Sequence, residues 1–214
     1  VALRNLLQHK LRAALTILAV LLGVAMISGT YVLTDQLRSG FEDIYENAYK
    51  NIDVVVMPKP AFGQTFEAAD QTLPRSLVDK VKQIDGVRIA DGGLQAMSAL
   101  VVDGETVKTS GAPTLVFSDT VSQLSSVTYY EGTSPAQRGE VALNRGGAEK
   151  AEVSVGDTVG LATKNGLQEA RVSGLLDFGS EGSSLGGTVM IVADAADMTT
   201  WFEFGDRVSY IQIK

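Results

Sequence analysis

The sequence predicts an α+β fold: a long N-terminal helix that crosses a membrane, then a two-lobed domain on its outer side. Three observations predict it. Residues 13–33, AALTILAVLLGVAMISGTYVL, run without a charge. As a helix rising about 1.5 Å per residue they cover about 32 Å, close to the apolar thickness of a bilayer, about 30 Å. Helical periodicity then continues with no proline before Pro58. Beyond it, strand, helix, glycine and strand patterns follow one another over 53–102 and again over 188–213, which suggests paired β-α-β units of a ferredoxin-like layer.

The elements follow in order. In residues 1–12, Leu3, Leu6, Leu7 and Leu11 fall on one side of a helical wheel and Arg4, Asn5, Gln8, His9 and Arg12 on the other. This suits a short helix in the membrane interface with its cations near anionic headgroups; a polar, Leu-rich leader to the span is the plainer alternative. Cations precede the span of residues 13–33 and Asp35 follows it, so the positive-inside rule leaves residues 1–12 in the cytoplasm and residues 34–214 outside. A cleaved signal peptide has the same opening signature. It is disfavoured because the apolar run exceeds the usual length and no small-x-small cleavage site follows.

Residues 34–52 read as a helical stalk. Leu33, Leu37, Phe41, Ile44, Tyr45 and Ala48 share one arc at helical periodicity, and Asp35, Arg38, Glu42, Asp43, Glu46 and Lys50 occupy the rest. Two partners are open to this stripe: the chain's own domain, or a neighbouring stalk helix packed on Leu37, Phe41, Ile44 and Tyr45. Gly40 is its weak point, costing about 1 kcal/mol against alanine.

The outer domain, residues 53–214, opens with DVVVM (53–57), read as a buried strand. A long loop follows, in which Phe62 and Phe66 are candidates for contact with a partner or substrate; tethering of the loop is the alternative. Pro74 reads as the first residue of a helix whose stripe is Leu77, Val81 and Ile84, ended by Gly86. Strands follow through Val102. Asp103-Gly104 and Asn165-Gly166 are two-residue hairpin signals, because a type I′ turn needs positive φ at both positions. Between them lie a strand at 140–143, a short helix near 147–152 and a turn at 155–157. A glycine-serine linker at 177–187 leads to a strand at 188–192, a helix at 194–202 and a strand at 207–213. An α+β lobe of about 53–112 and 179–214 is thus expected, with a β-rich lobe of about 113–178 inserted in it.

Composition narrows the function. The chain has 214 residues, 18 basic and 25 acidic, and no cysteine. Residues 1–33 hold three of the cations and no acid, which leaves a net charge of −10 on the remainder. Such a domain repels phosphate backbones, so nucleic acid is not an expected partner. The missing cysteine removes disulfides, thiolate chemistry and thiolate zinc sites, and with them a lipoprotein anchor. Gly182-Ser183-Ser184-Leu185-Gly186 matches the G-x-S-x-G nucleophile pattern. It lacks the apolar strand that should precede it, and His9, the single histidine, falls across the membrane. A flexible linker is the better reading, and no enzyme activity, catalytic residue, metal site or cofactor is expected. Glu42, Asp43 and Glu46 are solvated helix-face acids rather than cation ligands. Trp201, Phe202 and Phe204 read as core packing.

Taken together, the opening residues are similar to the first transmembrane segment of MacB/FtsX/LolC-type ABC transporter permeases. Arg4, Asn5, Leu6, His9, Lys10, Arg12, Leu15, Thr16, Leu18 and Gly23 fit that family's R-N-L-x-x-[HN]-[KR]-x-R-x-x-L-T-x-L-[GA] opening. LPRSLVDKVKQIDGV (73–87) resembles its helix and strand, and GEVALN (139–144) with SVGDTVGL (154–161) its β lobe. The resemblance implies a porter-like α+β lobe with an inserted β lobe, the MacB-like periplasmic core domain. It implies as partners a cytoplasmic ABC ATPase subunit, a second permease subunit in a homo- or heterodimer, the lipid bilayer, and exported cargo or an envelope protein. It also implies three further transmembrane helices; since the sequence begins with Val1 and stops at Lys214, a piece of a longer permease is expected. The expected function is to couple ATP hydrolysis, by mechanical transmission through the stalk, to export, lipoprotein extraction or activation of an envelope enzyme. A membrane-anchored binding or adhesion module without a transport role is the alternative.

Overall fold

A computed structural model describes residues 10–59, 71–109, 111–178 and 187–214. The chain divides into two units, residues 1–43 and 44–214.

In the first unit, helix α1 (Lys10–Tyr49, which continues into the second) begins without a break. It contains a candidate membrane span, Ala14–Val32, with mean hydropathy 2.1 and no buried residue in its most apolar stretch. Large apolar side chains such as Leu15, Ile17, Leu21 and Ile27 are all more than half exposed, which is costly in water and favourable in lipid. Both threonine hydroxyls of the span are satisfied: Thr16 Oγ1 donates to the Arg12 carbonyl and Thr30 Oγ1 to that of Met26, each at 2.9 Å. Back-bonding of this kind removes the polar groups that hydrocarbon would leave without partners. The stripe residues Leu37, Phe41, Ile44 and Tyr45 belong to α1, but their side chains lie outside the described residues, as do residues 1–9.

The described part of the second unit contains three short helices and fourteen strands. Strands β1 (Val54–Val56), β3 (Ala90–Gly93) and β14 (Tyr210–Ile213) form an antiparallel sheet in the order β1-β14-β3. Strand β1 is not the buried strand that VVV suggests. It is an edge strand with Val54 exposed, because its outer side has no neighbour among the described strands. Helix α2 (Ser76–Lys82) covers one face of this sheet through Val78 and Val81. Pro74 does not open that helix. It lies in β2 (Leu73–Pro74), which pairs with β13 (Arg207–Val208), and Ile84 falls beyond α2 and is exposed. Proline tolerates a short edge pairing, since its missing N–H withdraws little there.

The larger sheet runs β4-β7-β12-β9-β11-β10-β5-β6. Its members are β4 (Gln95–Ser98), β5 (Leu100–Val102), β6 (Glu105–Thr106), β7 (Thr114–Ser118), β9 (Glu140–Asn144), β10 (Thr158–Thr163), β11 (Gly166–Phe178) and β12 (Val189–Ala193). β8 (Val127–Gly132) adds to the far half of β11. β4 and β5 are separated only by Ala99, so the segment 95–102 pairs with β7 at one end and β10 at the other. The Ala162 N–H donates to Ala99 O at 3.0 Å, and Ser98 Oγ to Ala162 O at 2.8 Å. The sheet therefore curls into a closed ring through the segment 95–102, with β6 and β8 each paired on one side only. Val116, Val141, Leu143, Val159, Leu161, Val172 and Ile191 fill its interior, with at most 1% exposure.

Two features differ from the sequence expectation. β4, β5 and β12 belong to the curled sheet, so of the second β-α-β pattern only β14 joins the three-stranded sheet. Neighbouring strands in sequence need not share a sheet when a longer run of apolar partners is offered elsewhere. The second difference is a turn. Asp103-Gly104 has φ of 52° and 80°, as a type I′ turn requires. At Asn165-Gly166 the hairpin forms one residue earlier. Thr163 pairs with Gly166, Lys164 and Asn165 make the turn, and of Asn165 and Gly166 only the glycine has positive φ. Twist is thereby matched by a glycine after an ordinary turn rather than by two left-handed residues. Gly182-Ser183-Ser184-Leu185-Gly186 lies outside the described residues.

Candidate functional site

Outside the curled sheet, in the second unit, a groove of about 200 Å³ forms between that sheet and β14. Its floor follows from strand alternation. In β12, Val189, Ile191 and Ala193 point into the ring, so Met190 and Val192 point out; in β7 the same alternation turns Phe117 outward. VMIVA is apolar at every position, and a strand covered on both faces reads that way. That unbroken run was the signal in the sequence for a covered outer face, although it does not say what covers it.

The opposite wall comes from β1 and β14, where Val55, Tyr210 and Gln212 face the groove while Ile211 faces the core. Tyr210 is directed by a glycine: its partner across the ladder is Gly93, and a Cβ there would collide with the Tyr210 ring. The ring therefore lies where a side chain would otherwise be. We expect Gly93→Val to lower stability by about 1–3 kcal/mol through overpacking. In a double-mutant cycle with Tyr210→Ala, most of that cost should vanish, and additive effects would show that the ring does not depend on Gly93.

The segment 119–127 closes one end. Asn51 Nδ2 donates to Ser125 O at 2.6 Å, Leu124 is buried, and Ile52 packs at the start of β1. The polar groups gather here. The Ser134 hydroxyl donates to Asp119 Oδ2 at 2.6 Å. Thr120 Oγ1 donates to Asp91 Oδ2 at 3.0 Å and lies 3.3 Å from Gln212 Oε1. Behind them, burial pushes the Tyr129 phenol above its ordinary range; the Ser134 hydroxyl acts against this and the Asp119 carboxylate with it. Among the described residues no cation pairs with Asp119 or Asp91.

Besides an exposed Arg75–Asp206 pair at 3.9 Å, two close ion pairs lie elsewhere among the described residues. Arg145, at the start of α3 (Arg145–Ala151), grips Asp177 with two bonds of 3.0 and 2.6 Å and lies 3.9 Å over the Tyr130 ring. Asp197, in α4 (Ala195–Trp201), is buried and accepts from Arg138 Nε and from the Gly139 N–H, the latter at 2.6 Å. Both tie helices to strands. No described trio of His, Cys, Asp or Glu is arranged to hold a metal. The groove offers apolar walls for a body and a carboxylate end for a donor.

Of the residues expected from sequence to make contacts, Phe62 and Phe66 lie outside the described residues, and Leu37, Phe41, Ile44 and Tyr45 are placed only as backbone positions of α1. Trp201 and Phe202 are buried and Phe204 packs against the same core. Asp119, Tyr210 and Met190 were not singled out by sequence, since only the fold brings them together.

The family model for the MacB-like periplasmic core domain matches residues 13–214. Among solved structures, the chain resembles the periplasmic region of MacB from Actinobacillus actinomycetemcomitans. The TM-score is 0.55 at 16% identity, covering 80% of this chain and 78% of that one. It also resembles the extracellular domain of the noncanonic ABC-type transporter YknZ from Gram-positive bacteria. There the TM-score is 0.53 at 13% identity, covering 75% and 83%. At such identities the likeness is one of fold. No curated protein matches the sequence.

Proposed function

This chain belongs to the MacB-like periplasmic core domain family, and from that we propose that it is the extracytoplasmic part of an ABC transporter permease, carried on the permease's first membrane helix. In this reading residues 1–12 are cytoplasmic and residues 34–214 lie outside the cell membrane. Its partners are a cytoplasmic ABC ATPase subunit, a second permease subunit, and exported cargo or an envelope protein. The domain relays motion and carries no catalysis of its own.

The observation that carries the proposal is the continuity of α1. Forty residues in one helix measure about 60 Å at about 1.5 Å per residue, twice what an apolar core requires. A bare anchor needs only the first half. The remaining turns carry the stripe of Leu37, Phe41, Ile44 and Tyr45, which this reading pairs with a neighbouring stalk. A second reading, a membrane-anchored binding module without a transport role, draws support from the groove. Copurification of the full-length protein with an ABC ATPase separates the two.

Orientation has its own test. The sequence has no cysteine, so Ser122→Cys at an exposed position provides a single thiol. A membrane-impermeant maleimide should label it in intact cells, after permeabilisation of an outer membrane where there is one. Labelling only after the cell membrane is lysed would reverse the assigned orientation.

A further inference from the structure

We propose that the groove between β12 and β14 is a binding site for a small cationic amphiphile, a molecule with an apolar body of roughly eight to twelve heavy atoms and one protonated amine. The size follows from the cavity. About 200 Å³ exceeds the roughly 150 Å³ apolar cavity known to take benzene, and it is far too small for a folded peptide. Phe117, Met190 and Val192 from the curled sheet, with Val55 opposite, give the body an apolar bed.

The sign of the head group follows from charge. Among the described residues that line it there is no lysine, arginine or histidine, and the carboxylate there is Asp119. Asp119 is half-buried and its Oδ2 accepts from the Ser134 hydroxyl, which leaves acceptor capacity at Oδ1. Asp91 stands behind Thr120 and adds a second negative charge at the same end. No cation among the described residues neutralises either one. A carboxylate at the mouth of an apolar cavity is stabilised by an ammonium donor and repels a carboxylate ligand. The net charge of −10 beyond residue 33 adds long-range attraction of the same sign. This inference does not rest on the transport reading, and neither fails with the other.

The test uses the full chain in lipid nanodiscs with methyl-labelled methionine, and n-octylammonium, 1-octanol and octanoate as probes. Met57 and Met190 line the groove, Met198 lies in the core, and Met26 in the membrane span reports partitioning into lipid. We expect the Met57 and Met190 signals to move saturably with octylammonium while Met198 stays still. Octanoate should bind about tenfold or more weakly, the scale of one charge-assisted hydrogen bond. Asp119→Asn should bring octylammonium to within about twofold of octanol, a small residue once the charge-assisted bond is gone. Val55→Trp, which fills the cavity and leaves the carboxylate in place, should abolish saturable binding of all three. An unchanged Met198 signal shows that each variant is folded. The proposal is overturned if only Met26 responds, if octanoate binds as tightly as octylammonium, or if Asp119→Asn leaves the preference for the amine intact.

Discussion

Gly40→Pro should leave the outer domain folded and ATP hydrolysis present while abolishing the transport or activation step of the assembled permease. Position 40 lies within the uninterrupted α1, thirty residues from its start and nine from its end. Proline there removes a backbone donor and its ring collides with the carbonyl of the preceding turn, a penalty of about 3 kcal/mol or more that a helix relieves by kinking. A kinked stalk still anchors but transmits displacement poorly. Phe41→Asp tests the same element through its side chain, because a carboxylate in a stripe packed on a neighbouring stalk, as proposed, costs about 2–4 kcal/mol. Hydrolysis and cargo movement would be measured in the same membranes, with limited proteolysis reporting the fold. Full cargo movement in either variant would make the stalk a tether. Unfolding of the outer domain by Phe41→Asp would mean that the stripe packs on the chain's own core.

The second large effect is expected at Asp197, whose side chain is 3% exposed while that of its partner Arg138 is 63% exposed. That asymmetry decides which bond matters. An exposed guanidinium regains water when the pair is broken, and surface pairs contribute about 0–1 kcal/mol. The buried carboxylate also satisfies the Gly139 N–H at 2.6 Å, just before β9 enters the curled sheet, and removing it leaves that donor without a partner. Asp197→Ala should therefore cost about 3 kcal/mol and Arg138→Ala less, about 1–2, because the buried carboxylate loses its cation but keeps the Gly139 N–H. Denaturant unfolding followed by fluorescence of Trp201, the sole tryptophan and buried in the same helix, reads both. Equal losses would mean that the ion pair, not the backbone contact, holds the turn.

Much of this architecture was legible in the sequence where the signal is local. The charge-free run at 13–33 gives a helix because length and hydropathy suffice. Asp103-Gly104 gives its turn because two adjacent residues can adopt positive φ. The R-N-L opening from Arg4 and the GEVALN strand point to the family whose model spans residues 13–214. Pro74 was misread because a helix-opening proline and an edge-strand proline look alike until Arg207–Val208 is known to lie beside it. Val54 was misread because three valines promise burial only when a strand has neighbours on both sides.

The candidate membrane span, the α+β class, the lack of cysteine and the charge imbalance were determined by the sequence alone, because each depends on composition or on residues within a few positions of one another. The tertiary structure decided the rest. Ala99 joins two strands into one that closes the ring, Tyr210 lies over Gly93, and Asp119 meets Ser134 at the end of an apolar groove. These contacts join residues far apart in the chain, and which of many apolar runs pair is settled by the packing energy of the whole domain rather than by any local preference.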